Sequence, residues 1–261
     1  MKDIQSTGKV SALFLLMRPA QWVKNIILFL PMFFAQEIGA LDRLQNVALL
    51  FVGFCMLTSG VYVFNDLMDA AEDRLHPAKR FRPIAARKVS PAEAVGFMLL
   101  LYGISAVCFS FIHIRSNLIW LLAGGYILLN LAYTLYLKQV QIIDVMIVAC
   151  GFIIRLEAGA VTGDIELSHW LIIMTFILSL FLAFAKRRDD LLNFMETGQV
   201  SRKNITGYTI DYLNVVLSFL SSIIAVTYIL YTLSPEVTAR SSEYLYVTIP
   251  FVLAGIMRYL Q

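Results

Sequence analysis

The chain has 261 residues, 59% of them in the hydrophobic set, with 21 Lys and Arg against 18 Asp and Glu and a mean hydropathy of +0.74. A soluble domain holds roughly 45 to 50% apolar residues, so the excess excludes that class and indicates an integral membrane protein, and a net charge of only +3 gives no reason to expect nucleic acid as a partner. Cys55, Cys108 and Cys150 lie inside apolar runs without ligand-like spacing, which suits small buried hydrophobes rather than a disulfide or a zinc site.

In chain order, the first apolar stretch, ALFLLM, is short, is stopped by Arg18 and Pro19, and carries no small-residue cleavage site. A cleaved leader is therefore not expected. Apolar runs follow near 22–36, 47–66, 93–112, 116–137, 140–162, 168–186, 209–232 and 244–260. A helical span takes about 20 residues, so the sequence predicts an all-α, multi-pass transmembrane helical bundle of about eight spans in a single domain, residues 1–261. Two connections on one side, at about 74–92 and 187–208, are long enough to form part of a site.

Charge assigns the sides. The N-terminus, the segments after the second, fourth and sixth spans, and the C-terminus together hold 17 of the 21 Lys and Arg; the opposite loops hold only Arg43, Arg115 and Arg240, and Arg155 falls within a span. The positive-inside rule makes the first set cytoplasmic and places the chain in the cytoplasmic membrane with its polar end facing the cytoplasm. Trp120 and Trp170 open spans after external loops, as interfacial belt residues do.

At the cytoplasmic end of the second run stands NDLMDAAEDRLHPAKRFRPIAA, residues 65–86. At 100° per residue, Asp66, Asp69 and Asp73 fall within an arc of about 60°, with Glu72 roughly another 60° away. Ionised carboxylates so close repel one another, and charge at membrane depth is read as functional by default. A divalent cation resolves the conflict. Mg²⁺ favours one or two carboxylates plus waters and phosphate oxygens, so Asn65, Asp66, Asp69 and Asp73 suit an Mg²⁺–diphosphate site. Pro77 ends the helix, and the loop after it carries Lys79 and Arg82, which can fold back over the acids. The alternative is a set of salt bridges from the acids to Arg74, Arg80 and Arg82 that merely closes the loop, and His76 before Pro77 suits loop packing.

The run NDxxDxxxD followed by a basic RP segment resembles the first Asp-rich motif of the UbiA superfamily of intramembrane prenyltransferases. MRPAQWVKNIILFLPMFFA at 17–35, YTLYLKQVQIIDVMIVACGFIIRLEAGAVTGDIELSHW at 133–170 and FAKRRDDL at 184–191 look like the branch that includes decaprenyl-phosphate phosphoribosyltransferase. The resemblance implies a UbiA-type bundle, usually of nine helices; this chain stops at GIMRYLQ, one span short. It also implies Asp66, Asp69 and Asp73 as metal ligands, with Asn65 orienting the site and Lys79 and Arg82 on the leaving diphosphate. Prenyltransferases usually carry a second Asp pair a turn apart after the fourth span, whereas here Val148 follows Asp144 by one turn. Cations stand out instead: Lys24, Lys138, Arg155, Lys186 and Arg187. Phosphoribosyl pyrophosphate, with phosphate at both ends, would use them. Lys24 and Lys138 suit either the 5-phosphate or the acceptor's phosphate, Tyr133 sits where the family motif favours it, and Asp144 could bind metal, bind a ribose hydroxyl or neutralise Arg155.

The function expected from this resemblance is Mg²⁺-dependent transfer of 5-phosphoribose from phosphoribosyl pyrophosphate to a polyprenyl phosphate, releasing diphosphate. Two other readings stand beside it: prenyl transfer to an aromatic or other small acceptor, and non-catalytic carriage of a lipid phosphate. Homo-oligomer formation is compatible with the sequence.

Overall fold

A computed structural model describes residues 8–112, 117–198, 205–240 and 242–261, and every regular element among these residues is helical. Arg115 and residues 199–204 of the second long segment lie outside the described residues. Seven helical segments are long and apolar enough to cross a membrane. The eighth apolar run forms a shorter helical stretch, Leu245–Leu260. The protein is a multi-pass membrane protein.

The first crossing begins earlier than the hydropathy run suggested, because ALFLLM belongs to it. Helix α1 (Lys9–Met17) ends at Arg18, whose φ of 51° is left-handed. Pro19 follows, and a proline disfavours the right-handed helical region for the residue before it. The chain then continues as an 11-residue 3₁₀ helix, Pro19–Phe29, into α2 (Leu30–Phe34). In a 3₁₀ helix residues i and i+3 eclipse. Trp22, Asn25 and Leu28 therefore form one row: Trp22 Nε1 donates to Ser59 Oγ at 3.0 Å, Asn25 Nδ2 donates to Thr58 Oγ1 at 3.3 Å, and Leu28 is buried. Ser59 Oγ also donates to the Met17 carbonyl at 2.8 Å, pinning the break to the next helix.

That helix, α3 (Leu41–Leu75), has 35 residues, about 50 Å at the α-helical rise against a hydrocarbon core of about 30 Å. Its apolar part fills the core and its last turns carry the acids. Helix α4 (Pro91–Ser110) starts with a capping box, Glu93 N donating to Ser90 Oγ and Ser90 N to Glu93 Oε2, with Pro91 in the first turn. The basic loop between α3 and α4 is anchored by Ile84 and Val89, which are buried with Val63, Ala94 and Leu101. Helices α5 (Asn117–Leu135), α6 (Ile143–Gly163), α7 (His169–Thr197) and α8 (Ile210–Leu233) follow, then α9 (Pro235–Arg240) and α10 (Ile249–Leu260). The segment read as a loop from residue 187 is helical as far as Thr197, where Gly198 at φ 68° caps it.

The chain forms two compact units, Met1–Tyr136 with Ile154–Leu167, and Leu137–Ile153 with Ser168–Gln261. In the first, Leu28, Leu50, Phe54, Leu57 and Tyr126 make a core. In the second, Phe181, Phe184, Leu213, Leu217 and Ile224 do so. Within the first unit α6 lies hard against the 3₁₀ segment: a Cβ at Gly159 would stand 2.1 Å from the Leu28 carbonyl oxygen. Backbone on both sides leaves nothing flexible to give way, so Gly159→Ala is expected to cost about 1–3 kcal/mol by overpacking and to lower the thermal midpoint in detergent. Gly124→Ala, whose added Cβ meets nothing within 4 Å, is expected to leave it in place; equal midpoints would mean that the two backbones separate freely.

Candidate active site

Asp66 and Asp73 come from the inner face of α3 and are 3% and 4% exposed. A buried carboxylate must be paired, and two arginines from flanking segments do this. Arg82 Nη1 donates to Asp66 Oδ1 at 3.0 Å and to Asp73 Oδ2 at 2.7 Å, while Arg18 Nη2 donates to the same Asp66 oxygen. The left-handed turn at Arg18 aims its guanidinium over the Tyr62 ring, 5.0 Å from the centroid, and onto Asp66. Asn65 Oδ1 accepts from Thr134 Oγ1 of α5, so the asparagine of the motif is tied to a second helix.

The loop does fold back over the acids as expected, but through Arg82 alone of the three arginines weighed for salt bridges; Arg80 instead lies over the Phe81 ring. Lys79 is partly buried in the same loop. His76 Nδ1 accepts from the backbone N–H of Ala78 and Lys79 at 3.1 and 3.3 Å, which assigns its proton to Nε2. Burial and then the charge of Lys79 push its pKa down, so it is a neutral brace for the loop.

Asp69 is partly buried, whereas Glu72 is exposed. Among the described residues no three acidic, His or Cys side chains come together as a metal cage; the arrangement is a pair of carboxylates with two guanidiniums. That donor set still fits a hard cation, because a single nitrogen of Arg82 stands within 3.0 Å of an oxygen from each carboxylate. Two anionic oxygens converging on one point are what Mg²⁺ takes from protein when phosphate supplies the rest.

Deeper in the same unit, Arg155 is buried. Its Nε donates to Asn25 Oδ1 at 2.8 Å and its Nη2 to Tyr126 Oη at 2.7 Å, with the guanidinium 4.7 Å from the Tyr126 ring centroid. Lys24, next to Asn25, is exposed. The 3₁₀ period turns Asn25 inward and Lys24 outward.

The second unit holds a separate polar cluster. Asp144 is wholly buried. Arg187 Nε donates to its Oδ2 at 2.7 Å and Tyr208 Oη to its Oδ1 at 3.2 Å. Neutralisation of Arg155 by Asp144, one of the three roles open for that residue, is thereby corrected: eleven residues of helix separate them by about 16 Å, and Arg187 is the cation on Asp144. Lys186, beside it, is exposed and lies 3.6 Å from Asp190, and Lys138 is partly buried, as is Tyr133 of the first unit. Tyr208 also accepts from the Ile142 N–H at 2.7 Å; burial, then its neighbours, leave its pKa pushed up to about 12, so it remains a donor to Asp144 at any physiological pH. Sequence reasoning missed Arg18, Asn25, Tyr126 and Tyr208 as site groups. Only Arg18 and Asn25 had a signal, as part of the quoted stretch 17–35.

The model of the UbiA prenyltransferase family matches residues 25–260. The decaprenyl-phosphate phosphoribosyltransferase of Corynebacterium glutamicum is 35% identical over 256 residues, covering 97% of this chain and 75% of the relative. That of Mycolicibacterium smegmatis is 36% identical over 262 residues, covering 96% and 81%. Among solved structures, a UbiA homolog from Archaeoglobus fulgidus bound to GPP and Mg²⁺ superimposes with a TM-score of 0.70 at 18% identity, covering 95% of this chain and 86% of the homolog. A family match over nine-tenths of the sequence, relatives alike along nearly all of it and a shared helical fold lead to one conclusion: the chain belongs to the UbiA prenyltransferase family.

Proposed function

We propose that the protein transfers 5-phosphoribose from phosphoribosyl pyrophosphate to a polyprenyl phosphate in the cytoplasmic membrane, with its acid-rich end facing the cytoplasm. The relatives named for decaprenyl-phosphate phosphoribosyl transfer support the substrates. The observation that carries the choice over prenyl transfer is the commitment of Asp144 to Arg187. Where prenyltransferases usually place a second aspartate pair, this chain has one carboxylate already matched by one guanidinium.

In the reaction the bond from ribose C1 to the diphosphate oxygen breaks and a bond from C1 to an oxygen of the lipid phosphate forms. The nucleophile is anionic at neutral pH, so no general base is needed. Charge builds on the departing diphosphate, and electrostatic stabilisation there is usually the largest catalytic contribution. Asp66 and Asp73 would hold Mg²⁺, with Asp69 acting directly or through water, and the bound cation would neutralise diphosphate oxygens. Asn65, held by Thr134, orients this group. Arg82 and Arg18 are planar, multi-donor cations suited to phosphate; each can turn from the carboxylates to the diphosphate as it arrives, with Lys79 joining from the loop. Lys24, Lys138, Arg155, Lys186 and Arg187, with Asp144 and Tyr133, are the further candidate substrate-binding groups.

With phosphoribosyl pyrophosphate labelled in the ribose, label is expected in the lipid phase only when Mg²⁺ and a polyprenyl phosphate are present. Chelation is expected to abolish transfer and added Mg²⁺ to restore it, and Asp66→Asn or Asp73→Asn to lower kcat by about 100-fold or more. Consumption of a prenyl diphosphate with an aromatic acceptor, and no labelled lipid, would transfer the assignment to prenyl transfer. Arg18→Met is expected to raise KM for phosphoribosyl pyrophosphate by roughly tenfold or more, as loss of a charge-assisted phosphate contact does; an unchanged KM would restrict Arg18 to holding Asp66.

A further inference from the structure

The turn before Asp144 contains a residue ill suited to its backbone. Ile142 has a φ of 67°, in the left-handed region where a β-branched side chain is a true outlier. Glycine or asparagine takes such a position at little steric cost, so a turn that served only to connect two helices would have no use for isoleucine. Strain of this kind persists where surroundings over-determine it, and it clusters at functional sites.

The surroundings here are specific. The Ile142 N–H donates to Tyr208 Oη at 2.7 Å, and that hydroxyl donates onward to Asp144 Oδ1 at 3.2 Å. One phenol thus closes a link between the strained residue and the buried carboxylate two positions later. The Tyr208 ring is 5% exposed, edge-on to Phe184 at 6.4 Å and stacked on Tyr212 at 6.0 Å, so the hydroxyl is aimed by packing. Beside it, the Gln141 amide fills the space over Gly207, where a Cβ would stand 1.4 Å from Nε2. The segments 137–143 and 205–208 therefore interlock at two successive residues, Gln141 and Ile142. Lys138 lies at the start of the first segment and Asp144 just past its end.

We propose that Tyr208 is a positioning residue that clamps the 137–143 turn in its strained form, fixing Lys138 and Asp144 at a set spacing for one phosphate-bearing ligand. The proposal rests on the reading of Lys138 and Asp144 as substrate groups. A relaxed turn would move Ile142 out of the left-handed region and swing Lys138 relative to Asp144, which Arg187 anchors independently.

The full chain in lipid nanodiscs, with Mg²⁺, phosphoribosyl pyrophosphate and a polyprenyl phosphate, provides the test. Tyr208→Phe keeps the ring packing and deletes only the hydroxyl. KM for phosphoribosyl pyrophosphate is expected to rise by about tenfold or more with kcat within about threefold, the signature of lost uniform binding. Adding Ile142→Gly to Tyr208→Phe is expected to return KM to within about threefold of the parent, because glycine enters the left-handed region without the strain that the phenol otherwise has to offset. An unmoved KM in Tyr208→Phe, or a double variant no better than the single one, overturns the proposal. Amide exchange across 137–146 reads the clamp without any substrate: protection is expected to fall in Tyr208→Phe, and unchanged protection also overturns the proposal. Loss of protection in a protein that transfers no phosphoribose would leave the clamp in place and refute the assigned reaction.

Discussion

Two carboxylates buried on one face of a helix set the terms for the acid-rich end of this protein. Asp66 and Asp73 lie two turns apart on α3 and are almost wholly withdrawn from solvent. Each ion loses hydration worth several kcal/mol even after relaxation, so the fold must bring positive charge to them from elsewhere. It does so from both directions along the chain. Arg18 arrives from the preceding crossing and Arg82 from the loop that follows. The loop is anchored by Ile84 and Val89, and the preceding crossing is broken at the residue that must turn toward Asp66. Guanidiniums suit this duty because they stay charged at any relevant pH and present several donors in one plane. The same features suit them to a diphosphate, so one set of side chains can balance the carboxylates before substrate arrives and the leaving group afterwards.

The break at Arg18 has a second consequence further along the crossing. With Pro19 preventing a continuous α-helix, the next eleven residues wind as a 3₁₀ helix, and its period of three puts Trp22, Asn25 and Leu28 in a single row. Close approach at Gly159 then lets Asn25 meet Arg155 at 2.8 Å. A proline, a three-residue period and a missing Cβ together place one polar contact in the membrane interior.

The Asp-rich motif was legible because helical periodicity is local: spacing of three and four residues fixes which acids share a face whatever surrounds them. The boundaries of the runs near 93–112, 116–137, 140–162 and 209–232 were legible for a similar reason, since hydropathy over about 20 residues averages out tertiary detail. The row next to Lys24 shows what such averaging misses. That lysine stood out as a candidate phosphate ligand near the end of the first span, but its neighbour Asn25 takes the inner row of a 3₁₀ helix, and nothing in the hydropathy pattern distinguishes that period from an α-helical one. Arg18 was hidden because its partner lies 48 residues away, and the pairing of Arg187 with Asp144 because 43 residues separate them; pairing over such distances is decided by packing. The length of α7 was underestimated because its last turns are polar, carrying charge where a membrane span would carry none.

The two polar clusters balance charge differently, and the difference bears on the chemistry. At α3, two guanidiniums meet two carboxylates, with one Asp66 oxygen shared by both arginines. Such an arrangement can open, because each cation has another anion to turn to when a diphosphate arrives. Asp144 is closed by contrast: one oxygen goes to Arg187 and the other to Tyr208, whose hydroxyl is itself engaged by the Ile142 backbone. Displacing either contact would leave a charge buried without its match, which is costly. A site that recruits a metal with each substrate needs the first kind of arrangement, and a site that only recognises a ligand is served by the second. On that physical ground the proposed metal site fits Asp66 and Asp73 better than Asp144, whose two oxygens are both engaged.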